Sequence, residues 1–309
     1  MSTKNSSQTK PQNTKPEYTA PEYKKGLSLL LAAVPLIFAV FLSLIAYFAG
    51  IFISSMNQKI GTSTVSPELD ASGEGWVYLI RYLLFLIIFG LWYLHLLQKN
   101  EQEMIRFRRL HPKKKSSVRP SADKKEWNPV AYWGKRLPLL LILGYGLQLF
   151  VSGLLAIISI GFPDTFSAYK ELIQALTGTG VDIKTFLSVA FLAPIAEELL
   201  FRGVCYTYAE RALPVNGAII FQAVLFGIYH GNLIQFIYAT LMGVLLGFLR
   251  KQSGSVIPGI VLHMIINISC YLVPAAWLET VPKAAVITAV SLIVIIPCCI
   301  ILLKKERRR

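Results

Sequence analysis

Long apolar runs recur along this chain, and no other feature restricts its folding as much. Stretches such as 137–160 and 284–303 contain no Asp, Glu, Lys or Arg. About 20 such residues cross a bilayer as an α-helix, because in lipid each backbone N–H and C=O must find its partner within the segment. Eight candidate spans follow, some of them shorter or interrupted by a charge: 26–56, 76–97, 137–160, 186–200, 215–230, 233–249, 257–273 and 284–303. The expected fold class is an all-α polytopic membrane protein with about eight transmembrane helices. The composition agrees, with 54% hydrophobic and 16% charged residues, against about 45–50% and about 25% in soluble domains.

A formal net charge of +14 would suggest nucleic acid if it lay on a folded surface, but 22 of the 31 Lys and Arg fall in residues 1–25, 99–136 and 304–309. The charge is therefore topological, and no nucleic-acid partner is expected. With both termini cytoplasmic, 26 basic residues lie inside, Lys59, Lys170, Lys184 and Lys283 lie outside, and Arg81 falls within a span. That sorting satisfies the positive-inside rule. The expected organisation is a retained, disordered cytoplasmic tail over 1–25, without a signal peptide, followed by two helices over 26–97. A basic cytoplasmic loop over 98–136, a six-helix region over 137–303 and a basic tail over 304–309 complete it. The loop is expected to meet anionic lipid, and Arg81 to snorkel towards the outer headgroups. The four cysteines, Cys205, Cys270, Cys298 and Cys299, show no redox or zinc spacing and read as packing residues. His95 and His111 read as surface residues.

Several polar residues sit where lipid rejects them. Glu197 and Glu198 are adjacent, deep in an apolar span, and each carboxylate costs on the order of 2.5–3.5 kcal/mol there on insertion scales. Glu198 and Arg202 are one turn apart and can pair in a bidentate fork. Glu197 is rotated by about 100° from that pair and needs a partner on another helix. Phe226 precedes His230 by one turn and can shelter one face of its imidazole, while His263 and Asn267 share a face of a third helix. Pro194 lacks an N–H and can free a carbonyl near these groups. Ala239, Gly243 and Gly247 form a stripe of small residues for close helix packing. A buried glutamate beside an imidazole can deprotonate a water, and a second imidazole with an amide can donate to an oxyanion, which are the parts for peptide hydrolysis. No G-x-S-x-G or H-E-x-x-H occurs, which disfavours serine and zincin chemistry.

In this order, E-E-x-x-x-R-G (Glu197, Glu198, Arg202, Gly203), F-x-x-x-H (Phe226, His230) and H-x-x-x-N (His263, Asn267) resemble the motifs of the CAAX-protease and bacteriocin-processing family, the type II CAAX prenyl endopeptidase-like intramembrane proteases. The similarity covers about residues 143–275. It implies a catalytic cavity inside the membrane and a CAAX-type intramembrane endopeptidase, with peptide processing such as bacteriocin maturation among the activities of relatives. Carried over, Glu197 is the general base, His230 positions the water, His263 and Asn267 are oxyanion donors, and Glu198, Arg202 and Phe226 support them. The family has been described as metalloproteases. Glu197, His230 and His263 would hold a zinc ion if one is present, but Asn267 is a poor zinc ligand, so no cofactor is expected to be required. The expected partner is a peptide or protein substrate at the membrane. The alternative is a non-catalytic membrane scaffold or immunity protein that binds peptides or partner proteins through the same cavity.

Overall fold

The computed structural model describes residues 25–61, 71–110, 133–163, 166–167, 171 and 181–304. Residues 1–24 of the expected tail, 111–132 of the basic loop with His111, and 305–309 lie outside them. Among the described residues the regular elements are all helical. In chain order they are α1 (Lys25–Gly61), α2 (Ala71–Leu110) and α3 (Leu137–Gly161). A continuous helical run of changing pitch follows, labelled α4, made of Ile183–Leu187, Ser188–Leu192, Ala193–Glu198, Leu199–Cys205 and Tyr206–Ala209. Then come α5 (Val215–Tyr229), α6 (Leu233–Ser253), α7 (Ile257–Cys270), a 3-10 turn (Ala275–Trp277) and α8 (Val281–Leu303).

Five of these helices, α1, α2, α3, α6 and α8, are long and apolar enough to cross a membrane, and α5 and α7 are shorter and apolar. Their outward faces carry large apolar side chains, among them Ile37, Phe48, Phe52 and Ile293, each about two-thirds or more exposed. Water would penalise such a surface, whereas lipid does not. The chain is an all-α polytopic integral membrane protein.

Two spans differ from the sequence reading. Helix α2 continues past position 97 to Leu110, so the first part of the segment expected as a basic loop is helical. Its Gln, Glu, Met, Leu, Lys and Arg are strong helix formers, and nothing stops the helix where the apolar stretch ends. Helix α4 starts at Ile183 and runs on through the motif residues beyond position 200. Its first turn is capped by Asp182, whose Oδ1 accepts the Thr185 N–H at 2.7 Å. Partial burial pushes the Asp182 carboxyl up, but the ion pair with Lys184 at 2.7 Å and the Thr185 amide outweigh it and leave its pKa below the usual value.

Among the described residues, buried apolar side chains fall into four clusters, two of them larger than the rest. In one of these α1, α2, α4 and α5 bury Leu42, Phe85, Phe89, Leu200, Phe201 and Phe226 together. In the other, α3, α6, α7 and α8 bury Leu143, Leu246, Leu249, Leu262 and Leu302. The small stripe on α6 lets α5 approach closely: Gln222 Nε2 on α5 donates to Gly243 O at 2.9 Å. Helices α4 and α7 meet through polar residues, with His263 and Asn267 of α7 reaching Glu198 and Val189 of α4.

Candidate active site

Helix α4 changes winding around the two glutamates. Ser188–Leu192 and Leu199–Cys205 are π-helical, and the α-helical Ala193–Glu198 lies between them. Such insertions commonly mark functional sites. The first has a chemical cause. The Ala193 N–H reaches back five residues to Ser188 O, so in the same register Val189 O faces residue 194, a proline without an N–H. Asn267 on α7 supplies the missing donor, with Nδ2 at 2.8 Å from Val189 O. The freed carbonyl expected from Pro194 is thus present, and a motif side chain occupies it.

The two glutamates are separated by environment. Glu198 is fully buried with Arg202, and Arg202 Nη1 donates to Glu198 Oε1 at 2.8 Å. The pair is single-pronged, which corrects the bidentate fork expected from spacing. Glu198 Oε2 and Arg202 Nε and Nη2 have no hydrogen-bond partner in the protein. Two neighbours account for the geometry. His263 Nδ1 claims the same Oε1 at 3.2 Å, and the Phe226 ring lies 4.4 Å from the guanidinium carbon. Glu198 Oε2 in turn rests against Gly259, where a Cβ would come within 2.7 Å of it. Gly203, the motif glycine, leaves similar room for the Tyr93 ring of α2, which would stand 3.0 Å from an added Cβ.

Glu197 faces the other way. It lines a cavity of about 1300 Å³ together with His230, His263, Asn267 and Phe226. Its Oε2 stands 3.8 Å from His263 Nε2, beyond hydrogen-bond reach but within the span of a bridging water. Helix α5 ends at His230, where Gly231 turns the chain with φ of 72°. His230 Nδ1 lies 2.8 Å from Phe226 O. A carbonyl only accepts, so Nδ1 carries a proton, and it is Nε2 that is left to face the cavity. Phe226 stands edge-on to both imidazoles, with centroids 4.8 Å from His230 and 5.8 Å from His263. It therefore packs against both histidines as well as Arg202, a wider contact than the single sheltered face expected.

Two residues of α2 join the site without having been singled out for it. Tyr82 donates its hydroxyl to Glu197 Oε1 at 3.3 Å, and Arg81 Nη2 donates to Tyr82 Oη at 2.7 Å. Arg81 also lies over the Tyr78 and Tyr82 rings and lines the cavity, which corrects the expectation that it snorkels outward. The available signal was a cation inside a span with tyrosines three residues before it and one after it. The far wall adds Gln148, Ser152 and Ser159 of α3, polar residues that belong to no motif. His95 is exposed, beside Gln98 and Lys99, away from the cavity.

Among the described residues, no three His, Cys, Asp or Glu side chains are placed to hold an ion. Glu197, His230 and His263 share the cavity but do not form such a cluster in this geometry.

Residues 180–269 match the family model described as type II CAAX prenyl endopeptidase Rce1-like. Among curated proteins and among solved structures, nothing matches the chain. The matched segment contains all three motifs, from Glu197 to Asn267. Motifs and family model agree on this segment: residues 180–269 of this integral membrane protein are similar to the type II CAAX prenyl endopeptidases of the Rce1-like family.

Proposed function

We propose that the chain is an intramembrane endopeptidase that hydrolyses a peptide bond with a water activated by Glu197. The observation that carries this reading is the unequal treatment of adjacent carboxylates: Glu198 is locked to Arg202 while Glu197 opens onto the cavity beside two imidazoles. In the proposed reaction Glu197 takes a proton from water, and the hydroxide adds to the peptide carbonyl carbon. The carbonyl electron pair moves onto oxygen. His230 accepts a hydrogen bond from the water through Nε2, which its Nδ1–H bond to Phe226 O keeps free. His263 is held through Nδ1 by Glu198 and turns Nε2 towards the reacting atoms, where an Nε2–H donates to the oxyanion. Asn267 has one amide proton committed to Val189 O and one left for the same oxyanion. Collapse breaks the C–N bond, and the proton on Glu197 passes to the leaving amine.

The test compares the membrane peptidome of cells carrying wild-type protein with that of cells carrying Glu197→Gln. Cleavage products should vanish in the variant while the amount of folded protein holds. Identical peptidomes would leave the alternative, a protein that binds peptides through this cavity without cutting them. We further propose that no cofactor is required, so turnover of the purified protein should survive exhaustive chelation with a permeant agent. Loss of activity on chelation, followed by recovery with stoichiometric zinc, would overturn that proposal.

A further inference from the structure

The base carboxylate in this reading needs something to hold it. Glu198 has Arg202, but Glu197 has no ion pair with Lys or Arg among the described residues, and its contact with His263 is too long for a hydrogen bond. A carboxylate free to rotate about χ3 would present its lone pairs to a water only part of the time. What reaches it comes from α2, outside the segment matched to the family: the Tyr82 hydroxyl, itself addressed by Arg81. The direction of this chain is fixed by valence. A guanidinium has donors and no acceptor, so Arg81 Nη2 donates to the Tyr82 oxygen, and Glu197, as an ionised base that only accepts, takes the Tyr82 proton on Oε1.

We propose that Tyr82 and Arg81 form a positioning relay that engages Oε1 of Glu197 and so leaves Oε2, on the His263 side, to take the proton from water. The inference rests on the reading of Glu197 as the base. Three features support it. Tyr82 is 5% exposed, so its ring is immobilised, and it packs edge-on against Phe85 at 6.0 Å. Arg81 is clamped by cation–π contacts to Tyr78 and Tyr82, at 5.2 and 4.5 Å from the ring centroids. A cation inside a span is expensive and is retained where it acts on a cavity. The Tyr82–Glu197 bond is long, as such contacts often are before substrate closes the site.

The relay predicts a distinctive kinetic pattern in the full chain reconstituted in nanodiscs. Tyr82→Phe keeps the ring and removes the donor, so kcat and kcat/KM should both fall about 10- to 100-fold with KM unchanged. Arg81→Gln should lower kcat less. The double variant should be no slower than Tyr82→Phe alone, because Arg81 acts through the tyrosine. An independent readout is the carboxylate stretch of Glu197, identified by infrared difference against Glu197→Gln, which should shift when Tyr82 becomes Phe whether or not any substrate is cleaved. An unmoved band removes the relay. So do multiplicative losses in the double variant, or a rise in KM alone for Arg81→Gln, which would make Arg81 a grip on substrate. If the wild-type protein cleaves nothing, the base assignment falls, and the band alone still decides whether Tyr82 holds the carboxylate.

Discussion

Glu197 and Glu198 are neighbours in sequence with the same chemistry, yet their surroundings divide the labour. Rotation by one residue carries one carboxylate to a guanidinium and the other to a cavity. Glu198→Gln should therefore act through stability. It leaves the Arg202 charge buried and unpaired, a loss of about 3–5 kcal/mol, and it weakens the anchor of His263 Nδ1. Thermal unfolding in detergent should show a clear drop for Glu198→Gln and almost none for Glu197→Gln, while activity per folded molecule should vanish only in the second. Equal unfolding losses, with activity retained in what survives, would reverse the two assignments. The adjacent pair, its i,i+4 arginine and the inward histidines were legible in the sequence, because charge in an apolar span has few explanations. The single-pronged geometry was not, since it depends on His263, Phe226 and Gly259 arriving from other helices.

Helix α4 shows how a single residue reshapes an element. Pro194 removes one backbone donor, the helix widens to π pitch before it, and Asn267 fills the gap at Val189 O. Asn267→Ala alone should then cost about 1–3 kcal/mol, the penalty for a buried carbonyl left without a donor. Pro194→Ala restores an N–H in the register that can serve the same carbonyl, so Asn267→Ala should cost distinctly less in that background. A double-mutant cycle on unfolding free energies measures the coupling, and strict additivity would show that proline and amide are unrelated. That Pro194 frees a carbonyl follows from the sequence alone. Which carbonyl, and which side chain would take it, depended on the approach of α7 to α4, about 70 residues apart in sequence.

Over the molecule as a whole, the apolar helices pack around several buried clusters, and the polar residues collect beside the cavity that lies among α2, α3, α4, α5, α6 and α7. The arrangement follows from solvent. Lipid accepts the outer side chains, and the carboxylates, imidazoles and guanidinium are driven inward to one another and to a cavity of about 1300 Å³. Orientation across the bilayer is a proposal drawn from the basic residues, with both termini and the loop after α2 on the cytoplasmic side. In a background with the four native cysteines replaced, an impermeant thiol reagent applied to intact cells should label single cysteines placed within 62–70 and leave those within 111–132 unlabelled until the membrane is opened. The inverse pattern would turn the molecule over.

What the amino-acid order determined by itself was whatever depends on local periodicity and transfer from water: the apolar helices, the polar residues too costly to be incidental, and the motif spacing that carries the family resemblance. Those properties are set within single helical segments. What only the tertiary structure decided was which atoms meet. Arg81 read as an outward cation because its own segment offers a route to the headgroups, and it turns inward because Tyr82 and Glu197 lie on that side once α2 packs on α4. Tyr82 carried no motif at all. A hydroxyl on an apolar helix is ordinary until packing brings a carboxylate from 115 residues away to 3.3 Å, and contacts at that separation are products of the fold rather than of sequence spacing.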